Sequence, residues 1–315
     1  MDKKILVLGE NTIEAGEHRL IRFPVGHLAS GTRIYIHVNV QRSTRKGPTL
    51  LLIGGMHGDE INGTEIVRRA SQRYAIAGLD CGTLITIPLL NVYGFIHFTR
   101  DVSEGKDVNR SFPGSAKGSL ASRIANIIYK KILPEVDVIL DFHTGGGQRY
   151  NFPQIRYSKN ELANRTLAEA FHAPFMLASS LKPNSLRQYA QKLKIPTLAF
   201  EGGEAARFDG FSIEKGLQGI QFILQYLKMV PVTLEQSAPT HSLIENSWIR
   251  ASYSGIFIWQ RSSGVYVNRG EILGTISDPD QTRVEFIRAR NSGYIIGHNN
   301  APVVHVGDAL FHIGK

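Results

Sequence analysis

The fold of this chain is decided by residues 49–63, which read TLLLIGGMHGDEING. The apolar run 49–53 ends at a pair of glycines, which is typical of a buried parallel strand that leads into a loop. The segment that follows, Gly63–Tyr74, has apolar residues at helical spacing. This stretch therefore predicts a strand, a loop and a helix in succession.

The same alternation continues to about residue 230. Apolar runs predict strands at Leu84–Leu90, Val136–Phe142 and Pro196–Phe200. Amphipathic runs predict helices at Leu120–Ile132, Asn160–Phe171, Asn184–Lys192 and Ile213–Lys228. Such an alternation predicts an α/β fold with a mostly parallel, mixed sheet that carries helices on both faces.

The pattern changes after Pro231, where short apolar runs separated by glycines replace the helices. Within this region, residues 267–276 (VNRGEILGTI) and 304–313 (VHVGDALFHI) match at Val, Gly, the acidic position, Leu and Ile. We therefore expect a large domain over residues 1–235 and a small all-β domain over residues 240–315.

The paired half-motif resembles the lipoyl and biotinyl barrel-sandwich domains. In those domains a lysine on a hairpin between the halves carries the cofactor, whereas the corresponding hairpin here, residues 278–283 (DPDQTR), has no lysine. We expect the barrel-sandwich shape without a covalent cofactor. A generic β-sandwich that caps the large domain is the alternative.

Composition narrows the classes of partner. The 315 residues are 42% hydrophobic and 20% charged, which is typical of a globular protein. The apolar run Ile5–Leu8 is too short for a signal peptide or a spanning helix, so we expect a soluble cytoplasmic protein without a membrane partner. The net charge of +9 is scattered and lacks the basic and aromatic interleaving of a nucleic-acid platform, so no nucleic acid is expected. A homo-oligomer is left open.

Three residues read as a metal site. His57 and Glu60 lie three apart on a tight turn, and His143 follows another apolar run, so all three would meet at the carboxyl edge of the sheet. Cys81 is the only cysteine, which leaves His, Asp and Glu as ligands. Two histidines and one glutamate are a known set for catalytic zinc, with a fourth position for water. The sequence predicts one zinc ion per chain, with Asp59 as the alternative carboxylate ligand.

Basic and amide side chains lie between these ligands along the chain. Arg110 offers a planar fork to a carboxylate, and Asn109 adds a donor beside it, which is typical of recognition of an anionic substrate. A structural salt bridge is the alternative for Arg110. Arg100 would face the oxygen that becomes negative in a tetrahedral intermediate. Residues 145–160, with Arg149, Tyr150 and Arg156, are expected to form part of the substrate pocket.

The motifs together resemble the succinylglutamate desuccinylase and aspartoacylase family, which is related to the zinc carboxypeptidases. The residues that carry the resemblance are His57-x-x-Glu60, Arg100, residues 107–114 (DVNRSFPG) and residues 141–143 (DFH). It covers roughly the first 230 residues. It implies a zinc-dependent hydrolase that removes an acyl group from an N-acylated amino acid or a similar small amide that bears a carboxylate.

The resemblance also implies a glutamate at the end of a late strand, which acts as the general base. Residues 197–204 (TLAFEGGE) supply Glu201 and Glu204. Glu201 is preferred because it directly follows the apolar run and would face the same edge as the ligands. Two other functions stay open at this point: a zinc metallocarboxypeptidase, and a metal-binding or interaction protein without catalytic activity.

Overall fold

The structure is a computed structural model that describes residues 5–159, 161–235 and 238–315. Asn160, at which the predicted helix Asn160–Phe171 begins, lies outside these residues. Residues 1–4, with which the predicted large domain begins, lie outside them as well.

The described residues form strands, helices and short helical turns. The strands are β1 Leu6–Leu8, β2 Asn11–Ile13, β3 His18–His27, β4 Arg33–Arg42, β5 Thr49–Ile53, β6 Thr83–Ile87, β7 Val138–Gly145, β8 Arg149–Ser158, β9 Phe175–Ser179, β10 Thr197–Glu204, β11 His241–Leu243, β12 Asn246–Arg250, β13 Gly255–Trp259, β14 Tyr266–Val267, β15 Ile272–Ser277, β16 Val284–Arg288, β17 Gly293–Asn299, β18 Val303–Val304 and β19 Ala309–Gly314. The helices are α1 Ile61–Ala77, α2 Val92–His97, α3 Leu120–Ile127, α4 Leu162–Phe171, α5 Leu186–Lys192 and α6 Gly210–Tyr226. Shorter turns are the 3-10 turns Val108–Arg110 and Leu133–Glu135 and the π-helical turn Ile128–Ile132, which continues α3.

Thirteen of the strands in the described residues form one mixed sheet. Its centre is the parallel set β10, β7, β5 and β6, with β8 antiparallel on one side and β4 and β3 antiparallel on the other. The predicted α/β class with a mixed sheet is confirmed, and the parallel strands form the centre of that sheet.

Helices cover both faces of this sheet, and β5 shows how the sequence divides between them. Leu51 and Ile53 pack into a core with α3 and α5, whereas Leu50 and Leu52 pack into a second core with α1, α4 and α6. All five residues of β5 are buried because each face of the strand meets a core. This double burial explains why the strand is an uninterrupted apolar run instead of an alternating one.

The C-terminal region is a two-layered sandwich of strands. One layer contains β16, β15, β13 and β18, and the other contains β14, β17, β19 and β12, with an apolar core between them. The two half-motifs fold alike, as β14-turn-β15 and β18-turn-β19. In each turn the acidic residue, Glu271 or Asp308, accepts the N–H three residues earlier, at 2.9 Å and 2.8 Å, and the preceding glycine has φ near +90°. The predicted pseudo-symmetry is therefore present.

The sandwich and the central sheet share a hydrogen-bonded seam. Strand β17 pairs with β8 in antiparallel register, with Gly297 opposite Asn151, so the layer that contains β17 continues the central sheet. The division into residues 1–235 and 240–315 stays a prediction.

Two strands extend further than the apolar runs indicate. The predicted strand Val136–Phe142 is β7, which continues to Gly145, and Pro196–Phe200 is β10, which continues to Glu204. His143 and Glu201 therefore lie inside strands and not in the loops after them. They stand opposite each other in adjacent parallel strands, and this pairing is what prolongs both strands.

Among the described residues, no helix combines the length and the apolar character needed to cross a membrane.

Candidate active site

Three buried side chains converge at the carboxyl edge of the sheet. Nδ1 of His57 lies 2.7 Å from Oε1 of Glu60, and Nδ1 of His143 lies 2.8 Å from Oε2 of the same carboxylate. The possible ligand atoms of all three residues lie within 4.8 Å of one another. The structure thus brings together the three residues that the sequence predicts as metal ligands.

The loop after β5 and the neighbouring strand β7 bring these side chains together. His57 lies in the loop, Glu60 immediately precedes α1, and His143 projects from β7, which pairs with β5. The loop passes very close to α2, since a Cβ on Gly58 would lie 1.9 Å from the carbonyl carbon of Gly94. Only glycine fits at position 58, and this close approach fixes the path of the loop between His57 and Glu60.

Two aspartates hold the imidazole rings from behind. Nε2 of His57 donates to Asp107 at 3.2 Å, and Nε2 of His143 donates to Asp141 at 2.8 Å. The sequence analysis assigned no role to either aspartate. The spacing of Asp141 and His143 was a usable signal, because residues two apart in a strand share a face. With Nε2 engaged, Nδ1 is the nitrogen that each ring presents to a ligand.

The charges in this cluster are strongly coupled. Burial works against the charged form of Glu60, but His57 and His143 outweigh it and hold the pKa of this carboxyl well below its usual range. Burial likewise lowers the pKa of His143, but Asp141 and Glu60 outweigh it and raise the pKa well above its usual value. The cluster therefore concentrates negative charge around two imidazoles, which is an environment that favours a cation.

The cluster fits a metal ion. It supplies two imidazole nitrogens and one carboxylate, a donor set that divalent transition metals bind, and the aspartates behind the rings are the usual partners of metal-binding histidines. Glu60 and not Asp59 belongs to the group. Asp59 lines the same cavity, but its side chain lies outside the cluster.

Arg100 lies beside the ligands. Its Nη1 donates to Oε1 of Glu60 at 3.3 Å, while Nε and Nη2 donate to Oδ2 of Asp107 at 3.3 Å and 2.8 Å. The guanidinium is thus held in place by two carboxylates at the edge of the cluster.

Asn109 and Arg110 also line the cavity. The amide oxygen of Asn109 accepts the N–H of Leu186 at 2.9 Å, which leaves Nδ2 as the donor of this side chain. Arg110 is 44% exposed, and its nearest carboxylate, Asp107, is 4.0 Å away. This separation is long for a structural salt bridge.

Glu201 and Glu204 occupy different environments. Glu201 lines the cavity, where its carboxylate accepts Nδ2 of Asn151 at 2.9 Å and lies 3.3 Å from Nη1 of Arg156. Glu204 is buried, and its carboxylate accepts Nδ2 of Asn300 at 2.6 Å. Glu204 is not among the described residues that line the cavity.

The cavity over the cluster has a volume of about 480 Å³. Its lining is mostly polar and charged: His57, Asp59, Glu60, Arg100, Asn109, Arg110, Asp141, His143, Thr144, Gly145–Gly147, Arg149, Asn151, Arg156, Ser179, Ser180, Lys182, Ser185, Arg187, Ala199, Glu201 and Trp248. Arg149 and Arg156 line it as expected. Tyr150 does not, because its ring packs near His298 instead.

Arg187 is a partly buried arginine in the cavity wall that was not singled out from the sequence. Its guanidinium donates to Ser179 Oγ at 2.8 Å and Ser158 Oγ at 3.3 Å, and its Nε has no partner among the described residues. Burial and the neighbouring charge of Arg156 lower the pKa of Arg187 to about 10. A partly buried cation with an unpartnered Nε favours an anionic group in the cavity.

The chain is similar to known proteins over most of its length. A model of the succinylglutamate desuccinylase/aspartoacylase catalytic domain matches residues 46–227, more than half of the 315 residues. The chain is 24% identical over 318 residues to the N-alpha-acetyl-L-2,4-diaminobutyric acid deacetylase of Halomonas elongata, and the match covers 95% of this chain and 91% of that protein.

Two solved structures are similar over almost the whole chain. A succinylglutamate desuccinylase/aspartoacylase from Rhodobacter sphaeroides has a TM-score of 0.84 at 26% identity, with 95% of each chain covered. The product-bound ectoine utilization protein EutE (DoeB) from Ruegeria pomeroyi has a TM-score of 0.86 at 22% identity, with 100% of this chain and 99% of that chain covered. The second likeness is one of fold.

Proposed function

Because the chain belongs to the succinylglutamate desuccinylase/aspartoacylase family, we propose that it is a zinc-dependent amidohydrolase. It removes an acyl group from an N-acylated amino acid or a similar small amide that bears a carboxylate. The observation that carries the proposal is the buried cluster of His57, Glu60 and His143, which faces a cavity that also contains Glu201. The deacetylase activity named for the Halomonas relative supports cleavage of an amide.

His57, Glu60 and His143 hold the metal, with one ion per chain. A zinc ion in this position supplies Lewis acidity and lowers the pKa of water to about 7. Asp107 and Asp141 keep both Nδ1 atoms turned toward the ion, since each aspartate accepts from Nε2.

Glu201 is the general base. It accepts a proton from the attacking water and later returns it to the leaving amine. Asn151 donates to its carboxylate and Arg156 forms an ion pair with it, and these contacts orient the group toward the cavity. Glu201 also stands opposite His143 in the neighbouring strand, so the base lies beside the metal ligands.

Arginines bind the charged parts of the substrate. Arg100, fixed by Asp107 and Glu60, donates to the carbonyl oxygen as negative charge develops on it. Arg110 and Nδ2 of Asn109 bind the substrate carboxylate. The partly buried Arg187 adds a further positive group in the same cavity, which supports an anionic substrate.

A panel of N-acyl amino acids tests the proposal. We expect the purified zinc-loaded protein to release the free amino acid from some members of a panel of N-acetyl and N-succinyl amino acids. A chelator should remove this activity and added zinc should restore it. Peptides with a free C-terminus are the control for a carboxypeptidase. Trimming of these peptides without hydrolysis of any N-acyl amino acid would contradict the proposal.

Replacement of Arg110 by alanine should raise KM for a carboxylate-bearing substrate about tenfold or more, because a charge-assisted hydrogen bond contributes roughly 1.5–3 kcal/mol. Initial rates on the best substrate of the panel give this value. Arg165→Ala is the matched control, since Arg165 lies on α4, is exposed and pairs with Glu169. Equal KM values for Arg110→Ala and the parent would refute the role.

A further inference from the structure

The C-terminal sandwich contributes one side chain to the wall of the cavity. Trp248 lies on β12 and lines the same cavity as the metal ligands and Glu201. The cavity wall is otherwise polar: among the described residues that line it, only Trp248 and Ala199 have apolar side chains. Among the described residues that line the cavity, the indole therefore provides the one large apolar surface for a bound molecule.

The indole of Trp248 is held by its neighbours. Its ring is stacked on the imidazole of His312, with centroids 4.4 Å apart and planes 10° apart. Nε2 of His312 in turn donates to Oδ1 of Asn246 at 2.9 Å. Burial and the charge of Arg156 lower the pKa of His312 to about 3, so this ring is neutral. One face of the indole is thus covered by an uncharged, fixed partner.

The position of Trp248 in the sheet shows which part of a substrate it would meet. Trp248 stands opposite His312, His312 opposite Gly297, and Gly297 opposite Asn151, across three neighbouring strand pairs. Since strands are about 4.8 Å apart, the backbone of Trp248 lies roughly 15 Å from that of Asn151. Asn151 donates to Glu201. Trp248 therefore lies at the far end of the row from the reacting groups.

We propose that Trp248 is a specificity-determining residue that packs against an aliphatic chain of the bound N-acyl amino acid, at the end remote from the scissile bond. The inference rests on the proposed function, and it deepens it by assigning a substrate class: amides with an aliphatic chain as well as a carboxylate. Polar walls bind the charged groups, and the indole binds the carbon skeleton.

A series of substrates with lengthening side chains tests the inference. We use derivatives of 2-aminobutyrate, norvaline and norleucine that carry the preferred acyl group of the panel, and a second series in which the acyl chain is lengthened. In the parent protein kcat/KM should rise about fourfold for each methylene that reaches the indole, the value for burial of one CH₂. In Trp248→Ala this dependence should be lost.

Trp248→Phe is the companion variant, because it retains an aromatic surface and is less disruptive of the packing on His312. It should keep most of the chain-length dependence. If the dependence is the same in the parent and in Trp248→Ala, or absent from both series in the parent, the inference is wrong.

Fluorescence supplies a readout that does not depend on turnover. The chain has two tryptophans, and the second, Trp259, is 40% exposed and does not line the cavity. Trp259→Phe leaves Trp248 as the only tryptophan, whereas Trp248→Phe leaves Trp259. Both variants also carry Glu201→Gln, so that the ligand is not hydrolysed. Addition of the N-acyl norleucine should change the fluorescence emission of the Trp259→Phe protein, which retains Trp248. It should leave the emission of the Trp248→Phe protein unchanged.

The two experiments distinguish the inference from the function on which it rests. Absence of hydrolysis across the whole panel contradicts the proposed function. Hydrolysis without a Trp248-dependent chain-length effect, or binding that changes only the emission of Trp259, contradicts the inference alone.

Discussion

Replacement of His57 or His143 by alanine should abolish both zinc binding and hydrolysis. Each substitution removes one of three ligands from a buried site and leaves Glu60 facing a single imidazole. Structural and catalytic zinc sites require their full ligand set, so the remaining pair would bind weakly. Metal analysis of the purified variants, together with rates on the best substrate, measures both effects.

Two further variants make this result specific. His305→Ala changes an exposed histidine in the C-terminal region and should keep one zinc per chain. Asp141→Asn keeps all three ligands but alters the partner of His143, and should weaken metal affinity about 10- to 100-fold. Full zinc occupancy in His57→Ala or His143→Ala would overturn the assignment of the ligands.

Replacement of Glu201 by glutamine should lower kcat by about 100-fold or more while zinc content and KM change little. The amide has nearly the shape of the carboxylate, and its oxygen can keep the contact with Arg156. Its NH2 replaces the oxygen that accepts from Asn151, so that single hydrogen bond is lost unless the amide of Asn151 turns over. What is lost is the ability to accept a proton. Steady-state kinetics and metal analysis on the same preparation separate this loss from a loss of metal.

Glu204→Gln is the matched control. Its carboxylate accepts from Asn300 and does not line the cavity, so turnover should change only mildly. If Glu204→Gln instead removed turnover while Glu201→Gln retained it, the catalytic role would belong to the residue three positions along the chain.

Much of the fold could be predicted from the sequence. Central strands that are buried on both faces appear in the sequence as uninterrupted apolar runs. Strand β5 has the predicted bounds Thr49–Ile53, and α1, α3, α5 and α6 lie within a few residues of their predicted positions. Strand β8 was not predicted. It contains Pro153 and several polar residues, and its pairing with β10 shifts register between Glu201 and Gly203. This strand is stabilised by backbone hydrogen bonds to β10 on one side and to β17 on the other.

The hairpin β3–β4 was also missed, although its sequence carried a signal. Ile34, Ile36, Val38 and Val40 alternate with polar or exposed residues, which is typical of a half-buried strand. Pro24 interrupts the partner strand, where a proline is tolerated because β3 is at the edge of the sheet.

The candidate ligands were accessible to sequence reasoning because spacing and strand ends place them. The residues around them were not, because their contacts depend on the order and register of strands. Asp107 reaches His57 across 50 residues of chain, and Trp248 reaches the cavity only because β12, β19 and β17 continue the central sheet. No local sequence pattern predicts these contacts between residues that are far apart in the chain.

The seam between β8 and β17 has a mechanical consequence. Strand pairing connects the strand that carries Glu201, through β8, β17 and β19, to the strand that carries Trp248, with a local register shift in three of the four pairs. The two ends of the cavity therefore belong to one hydrogen-bonded sheet, and we expect them to move together and not about a hinge between the C-terminal sandwich and the rest. We expect entry and exit of molecules to rely on local movement of the loop between β7 and β8, residues 146–148, which contributes Gly146 and Gly147 to the cavity wall.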